Sequence, residues 1–256
     1  DDFFLVKYDA NHTIEWQRNY GGTGRDVVYD LYKSDNSLLL VGISNSPVSG
    51  SKTAVNRGDW DVWIVKIDLN GNIIWDKTFG GDDRDILKSS DQLSNGNLVL
   101  ATSSYSGISG NKTTPNKGVD DYWLFEIDGN GDYLWENTLG TDNGDTPADI
   151  VAFDNSIFVT GVSMGGINGD KTEPLYGFPD YWIVKTDATG NIVWDRSLGA
   201  NGINGYSSLL FVDVDSIQVF SVGNVPMSGM RNVPLKGEQD IWSVSLSHNG
   251  VVQTQR

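Results

Sequence analysis

"DVWIVKIDLNGNIIWDKTFGG", residues 61–81, reads as two short β-strands joined by a tight turn. Its halves "WIVKID" and "IIWDKTF" are β-branched and aromatic, and the "NG" between them is a strong hairpin signal. The stretch returns as "DYWLFEIDGNGDYLWENTLG" at 121–140 and as "DYWIVKTDATGNIVWDRSLG" at 180–199. A looser copy, "DFFLVKYDANHTIEWQRNYGG", starts at Asp2, and a last one, "DIWSVSLSHNGVVQTQR" from Asp240, lacks the second tryptophan. Trp63, Trp123, Trp182 and Trp242 are therefore spaced by 60, 59 and 60 residues, and Trp16, Trp75, Trp135 and Trp194 by 59 or 60. A repeat of this length constrains the fold before any local feature does.

Working outward, "DILKSSDQL" (85–93) and "NLVLATSS" (97–104) form a second strand pair around the turn "SNG". No segment carries a useful apolar helical period. Four short strands per unit, repeated radially, predict an all-β chain: a β-propeller of four-stranded antiparallel blades. Taking "DILKSSDQL" as the innermost strand divides the single domain 1–256 into a half blade at 1–21 and whole blades at 22–80, 81–140, 141–199 and 200–256. A ring needs whole blades. The expectation is a five-bladed ring with one blade incomplete, or a fragment of a larger ring.

Composition narrows the function classes. The net charge of −16 argues against nucleic acid, whose phosphates need a basic surface, and against anionic membranes. No apolar run approaches the 18 residues of a membrane span. With no cysteine there are no disulfides, thiolate metal sites or cysteine nucleophiles.

Between the second and third strands of each unit runs a loop of about 17 residues, at 44–60, 104–120, 162–179 and 222–239. It carries "SGSKTAVNRGDWDVW", "SGNKTTPNKGVDDYW", "NGDKTEPLYGFPDYW" and "SGMRNVPLKGEQDIW". Lysine, threonine and tryptophan together could hold a sugar or a carboxylate. A device written into every blade reads better as scaffold. Each tryptophan fills the gap between sheets, and the aspartate two residues earlier (Asp61, Asp121, Asp180, Asp240) accepts loop N–H groups. Lys52, Lys112, Lys171 or Arg231 offsets its charge.

Ligand contacts are expected where the loops depart from the repeat, since packing does not demand those residues. Trp60 stands where other units have Asp120, Pro179 and Gln239, while Tyr105, Tyr176, Phe178, Met227 and Met230 are private to single loops. Such an aromatic rim can stack on sugars or anchor a protein; loop self-packing is the alternative. Asp82, Asp83 and Asp85, with Asp142, Asp145 and Asp149, could bind calcium through oxygen, although capping of glycine-rich turns is preferred. Other motifs fail. "DGNGD" at 128–132 has Leu139 where a calcium loop needs Glu, and His12 and His248 are the only histidines, both in turns. A pair of catalytic carboxylates at the channel of a glycosidase-like propeller stays open.

The units "DYWIVK(T/I)D..GNI.WD(K/R)..GG" and "SG.KT.P..G" resemble the roughly 60-residue bacterial β-propeller repeats of large secreted and cell-surface proteins, closest to type IX secretion cargo. The resemblance covers essentially the whole chain and brings no catalytic residues. It implies an extracellular or outer-surface location, within a larger polypeptide. The reading from sequence is a non-catalytic binding or adhesion platform for protein or glycan on the long-loop face, not an enzyme, with no cofactor beyond possible calcium. The alternatives are a carbohydrate-active propeller, lectin or glycosidase, and a structural spacer.

Overall fold

The computed structural model describes residues 1–201, 208–223, 228–234 and 240–256, and every regular element in them is a β-strand. The chain opens on a two-stranded antiparallel sheet, β1 (Phe3–Tyr8) and β2 (Ile14–Tyr20). Four four-stranded antiparallel sheets follow, each a meander in chain order. The first holds β3 (Asp26–Ser34), β4 (Ser37–Ser44), β5 (Asp61–Asp68) and β6 (Ile73–Phe79). The second holds β7 (Asp85–Gln92), β8 (Leu98–Ser104), β9 (Asp121–Ile127) and β10 (Tyr133–Leu139). The third holds β11 (Asp145–Phe153), β12 (Ser156–Ser163), β13 (Asp180–Asp187) and β14 (Ile192–Leu198). The fourth holds β15 (Ser208–Val212), β16 (Ile217–Gly223), β17 (Asp240–Leu246) and β18 (Val252–Gln255). This is the propeller architecture: four blades and a partial one.

The β5–β6 hairpin shows why the sequence folds this way. Asp68 Oδ1 accepts the N–H groups of Asn70 and Asn72, both at 2.8 Å, so one carboxylate organises the turn. Gly71 follows at φ +80°, where a side chain would be strained. Asp128 with Gly131 and Asp187 with Gly190 repeat the arrangement.

The two tryptophan series do different jobs. Trp63, Trp123 and Trp182 are fully buried inside the stack, each removing about 150–250 Å² from water and contributing about 4–6 kcal/mol. The second series lies across each junction on the next blade's turn glycine. A Cβ built on Gly131 would fall 2.9 Å from Trp75, and one on Gly190 2.4 Å from Trp135. Trp16 Nε1 also donates to Leu69 O of the next blade at 3.1 Å, and Trp194 Nε1 to His248 O at 3.0 Å. Glycine at these turns thus serves both the positive φ and the close approach of an indole.

Buried clusters join neighbouring sheets, as where Val62 and Ile64 of one meet Leu98, Leu100 and Trp123 of the next. Hence β8 and β9, buried on both faces, are near-continuous apolar runs. The fourth sheet is different. Leu210, Val219 and Trp242 pack on the third sheet, whereas the alternate residues Leu209, Phe211, Val222 and Ile241 are exposed. At the other end Phe4, which takes the tryptophan position of the partial blade, is 59% exposed.

Candidate functional site

The recurrent loop motif is a latch whose centre is an acid on the outermost strand. Asp76 Oδ2 accepts Trp63 Nε1 at 2.9 Å and Ala54 N at 2.8 Å, and its other oxygen accepts the Thr53 hydroxyl. Glu136 and Asp195 do the same for Trp123 with Thr113 and for Trp182 with Thr172. The hydrogen bonds hold Asp76 and Glu136 below the ordinary carboxylate range against the opposing effect of burial, the largest single influence. The aspartate before each tryptophan accepts loop N–H groups as expected: Asp61 from Arg57 at 2.6 Å, Asp180 from Tyr176 at 2.5 Å. The lysines do not pair with it. Lys52 Nζ donates to Ala54 O and Thr78 Oγ1, and Lys171 Nζ to Gly165 O.

The candidate aromatics fall in two places. Trp60 and Tyr105 share the junction of the first and second sheets, where Trp60 O accepts Asp85 N at 2.6 Å and Tyr105 N donates to Arg84 O at 2.9 Å. Each ring is covered by an arginine, Arg25 at 5.8 Å from the Trp60 centroid and Arg84 at 4.5 Å from that of Tyr105. Tyr176 and Phe178 sit on the third sheet's loop, Phe178 exposed and joined to Pro179 by a cis bond. Met230 N donates to Gly199 O, while Met227 and Gln239 lie outside the described residues. The calcium candidates diverge. Asp82 and Asp83 are exposed and cap their own turn, through Ser109 Oγ and Arg84 N, whereas Asp85 is buried and accepts Gly81 N at 2.7 Å. Among the described residues no three carboxylates or histidines are grouped so as to hold a metal ion.

A different group does converge, on the innermost strands. Asp30 of β3, Asp91 of β7 and Asp149 of β11 are linked by short bonds. Ser90 Oγ donates to Asp30 at 2.6 Å, Ser89 Oγ to Asp149 at 2.9 Å, and the Tyr32 hydroxyl to Ser90 O at 2.7 Å. Asp91 accepts Gln92 N and, across the junction, Ala152 N, both at 2.8 Å. Asp149 accepts Ile150 N and, across the next junction, Leu210 N. Asp30 accepts this one hydroxyl through Oδ2, and among the described residues no hydrogen bond reaches Oδ1. Burial raises the Asp91 carboxyl, and the charges of Asp149 and Asp30 raise it further. Burial, with the same three carboxylates adding, pushes the Tyr32 phenol up to about 12.

These acids break the repeat. The position of Asp30 is Ser89, Asp149 and Leu209 in the other blades, and that of Asp91 is Tyr32, Val151 and Phe211. Beside them, a bulge in each of three successive inner strands drops Tyr29, Lys88 and Ala148 out of the ladder. Tyr29 is exposed, and Lys88 reaches solvent in surroundings crowded enough to lower its ammonium. Its charged neighbour Asp120 is buried, held by Ser103 Oγ at 2.9 Å and Thr146 Oγ1 at 2.7 Å. Sequence reasoning missed Asp30 and Asp91 and named Asp149 only as a calcium candidate. The signal was present as irregularity within the inner strand, "VVYDLYK" against "ILKSSDQ" and "PADIVAF".

No protein-family model matches the chain, and neither does any curated protein. Solved structures share its fold. Quinohemoprotein alcohol dehydrogenase from Comamonas testosteroni is 12% identical, with a TM-score of 0.50 over 99% of this chain and 40% of its own. A GH43 β-xylosidase/α-arabinofuranosidase from a compost microbial metagenome is 7% identical, at 0.45 over 99% and 82%. Levansucrase from B. megaterium is 7% identical, at 0.46 over 97% and 71%. Such identities show the fold alone. Even so, they go against the expectation of a non-catalytic platform and of no enzyme, since several of the structures found similar are of enzymes, glycan-active ones among them. The physical reason lies in the inner strands, where the chain carries acids the repeat does not require.

Proposed function

We propose that this chain is a carbohydrate-active propeller that hydrolyses glycosidic bonds at its innermost strands. The observation that carries the reading is the gathering of Asp30, Asp91 and Asp149 on three adjacent inner strands at positions where packing elsewhere uses Ser, Val, Leu or Phe. Glycoside hydrolysis needs one carboxylic acid kept protonated to reach the leaving oxygen, and a second carboxylate to attack or to activate water. Asp91, raised by burial and by its two acidic neighbours, fits the acid. Asp30, whose Oδ1 takes no hydrogen bond among the described residues, fits the second carboxylate. Asp149, holding one hydroxyl and two N–H groups, fits a fixed negative charge beside the developing oxocarbenium ion. Tyr29 offers a ring for sugar stacking and Lys88 a donor for hydroxyl groups.

Release of reducing sugar from a panel of plant and bacterial polysaccharides tests this. Turnover should fall at least about 100-fold in Asp91→Asn and in Asp30→Asn, the scale of lost general acid–base catalysis. Turnover unchanged in both variants would refute the assignment. Glycan retention without turnover would make the same site that of a lectin. The resemblance to exported bacterial repeats supports the companion proposal that the chain works outside the cell, which fractionation of the source bacterium tests.

A further inference from the structure

We propose that two buried aspartate pairs, Asp61–Asp85 and Asp121–Asp145, each hold a calcium ion between neighbouring sheets. All four residues are fully buried, and one oxygen of each, Oδ1, has no hydrogen-bond partner. The Ser104 and Ser163 hydroxyls stand beside Asp85 and Asp145 and lower their carboxyls. Asp61 and Asp121 take their hydrogen bonds from loop N–H groups, on the other oxygen. A buried, unpartnered carboxylate oxygen is costly and calls for a counter-charge.

Asp61 and Asp85 face each other across Gly80: a Cβ built on that glycine would fall 2.1 Å from Asp61 Oδ1 and 3.0 Å from Asp85 Oδ2, the oxygen that also accepts Gly81 N and the Ser106 hydroxyl. Asp121 Oδ1 lies against the equivalent Gly140, 2.2 Å from a Cβ built there, and the Asp145 charge acts on it. At the first pair Asn111, whose N–H donates to Gly80 O at 3.0 Å, adds a further buried oxygen without a partner, its Oδ1. Carboxylate and amide oxygens are hard donors, the kind that calcium takes with backbone carbonyls and water completing the set.

The nearby cations are spent on other oxygens: Lys112 Nζ donates to Thr114 O, Arg57 to Thr78 O, and Lys117 Nζ to Thr138 O and Asp170. Burial raises Asp61 and Asp121 to about 6, and the acid across the junction adds to it in each case.

The other junctions set the number of sites at two. Asp26, at the first, has both oxygens engaged by Ser44 and Ser46 hydroxyls. At the fourth, both oxygens of Asp180 accept loop N–H groups, from Tyr176 and Gly177. This is distinct from a site on the exposed turn acids Asp82 and Asp83.

Titration of the EDTA-treated chain with calcium chloride at pH 7.5, read by calorimetry and by thermal melting, tests the proposal. Expected are two ions per chain and a midpoint raised by about 10 °C or more at hundredfold excess over Kd. Asp61→Asn and Asp121→Asn should each remove one ion. Either substitution keeps an oxygen for the loop N–H groups and turns an amide toward the facing acid, so the fold survives. Asp82→Asn should remove none. Absence of binding, with stability rising instead as pH falls through 6, would overturn the proposal by showing that protons neutralise the pairs. So would binding that survives both buried substitutions or is lost in Asp82→Asn.

Discussion

Trp63 Nε1 donates to Asp76 Oδ2 at 2.9 Å, from the third strand of a blade to the fourth, and the same carboxylate holds the long loop above it. One acid thereby ties an indole, a threonine and a loop backbone into a single unit. The fourth sheet has Gln255 in this place, and there Trp242 Nε1 has no hydrogen-bond partner although it is buried.

Asp76→Ala should therefore destabilise the chain by about 2–4 kcal/mol, since it strands a buried indole N–H and frees the loop. Gln255→Glu should do the reverse, by about 1 kcal/mol, because Glu136 shows that this side chain reaches the indole in the second blade. Urea unfolding of both variants measures the pair. Equal midpoints for Asp76→Ala and the parent would sink the latch.

Gly131→Ala should cost about 2 kcal/mol or more. The new methyl meets Trp75 at 2.9 Å, and φ at this residue is +72°. Gly107→Ala has open space and no positive φ, and should be neutral or slightly stabilising. Thermal midpoints of the two, compared side by side, check whether the close approach or merely the loss of a glycine matters.

Acid stability should depend on the turn carboxylates. Bonds from Asn191, with further help from Thr189, lower Asp187 to about 2. A carboxyl held below its unfolded value stabilises the fold at any pH above that value and loses the contribution as pH falls through about 4 toward 2. Asp187→Ala should lower stability at pH 7 and leave a shallower acid limb between pH 4 and 2, a loss that urea melts across this range resolve.

Hydrolysis should be lost on the basic side. Asp91 acts protonated, and its raised value sets where the proton leaves, so kcat/KM should decline as pH rises through it. Substrates with a good leaving group need little protonation. Asp91→Asn should retain far more of its activity on aryl glycosides than on unactivated ones, and equal losses on both would exclude Asp91 as the acid.

Much of the architecture was legible because it was written repeatedly. Trp63, Trp123 and Trp182 with their turns "LNGN", "GNGD" and "ATGN" mark strand pairs at a constant interval, and packing enforces that interval in every unit. The lysine offsets the acid's charge through space rather than by contact. Lys171 lowers Asp180, while Lys52 gives its hydrogen bonds to a carbonyl and a hydroxyl, since a buried ammonium needs bonded oxygens. The grouping of Asp30, Asp91 and Asp149 stayed hidden for a different reason. Each is unremarkable within its own strand, and only the stacking of three sheets brings them together.

A graded stack of this kind should not come apart all at once. The sheet that bears Trp242 lacks the acid its neighbours have, has an unpartnered Arg231 nitrogen, and shows water the apolar side chains of Leu209, Phe211 and Ile241. Amide exchange should accordingly run fastest at that end and slow blade by blade toward the middle. A protease would find its first cut there, leaving the shortened remainder folded and its acids still aligned.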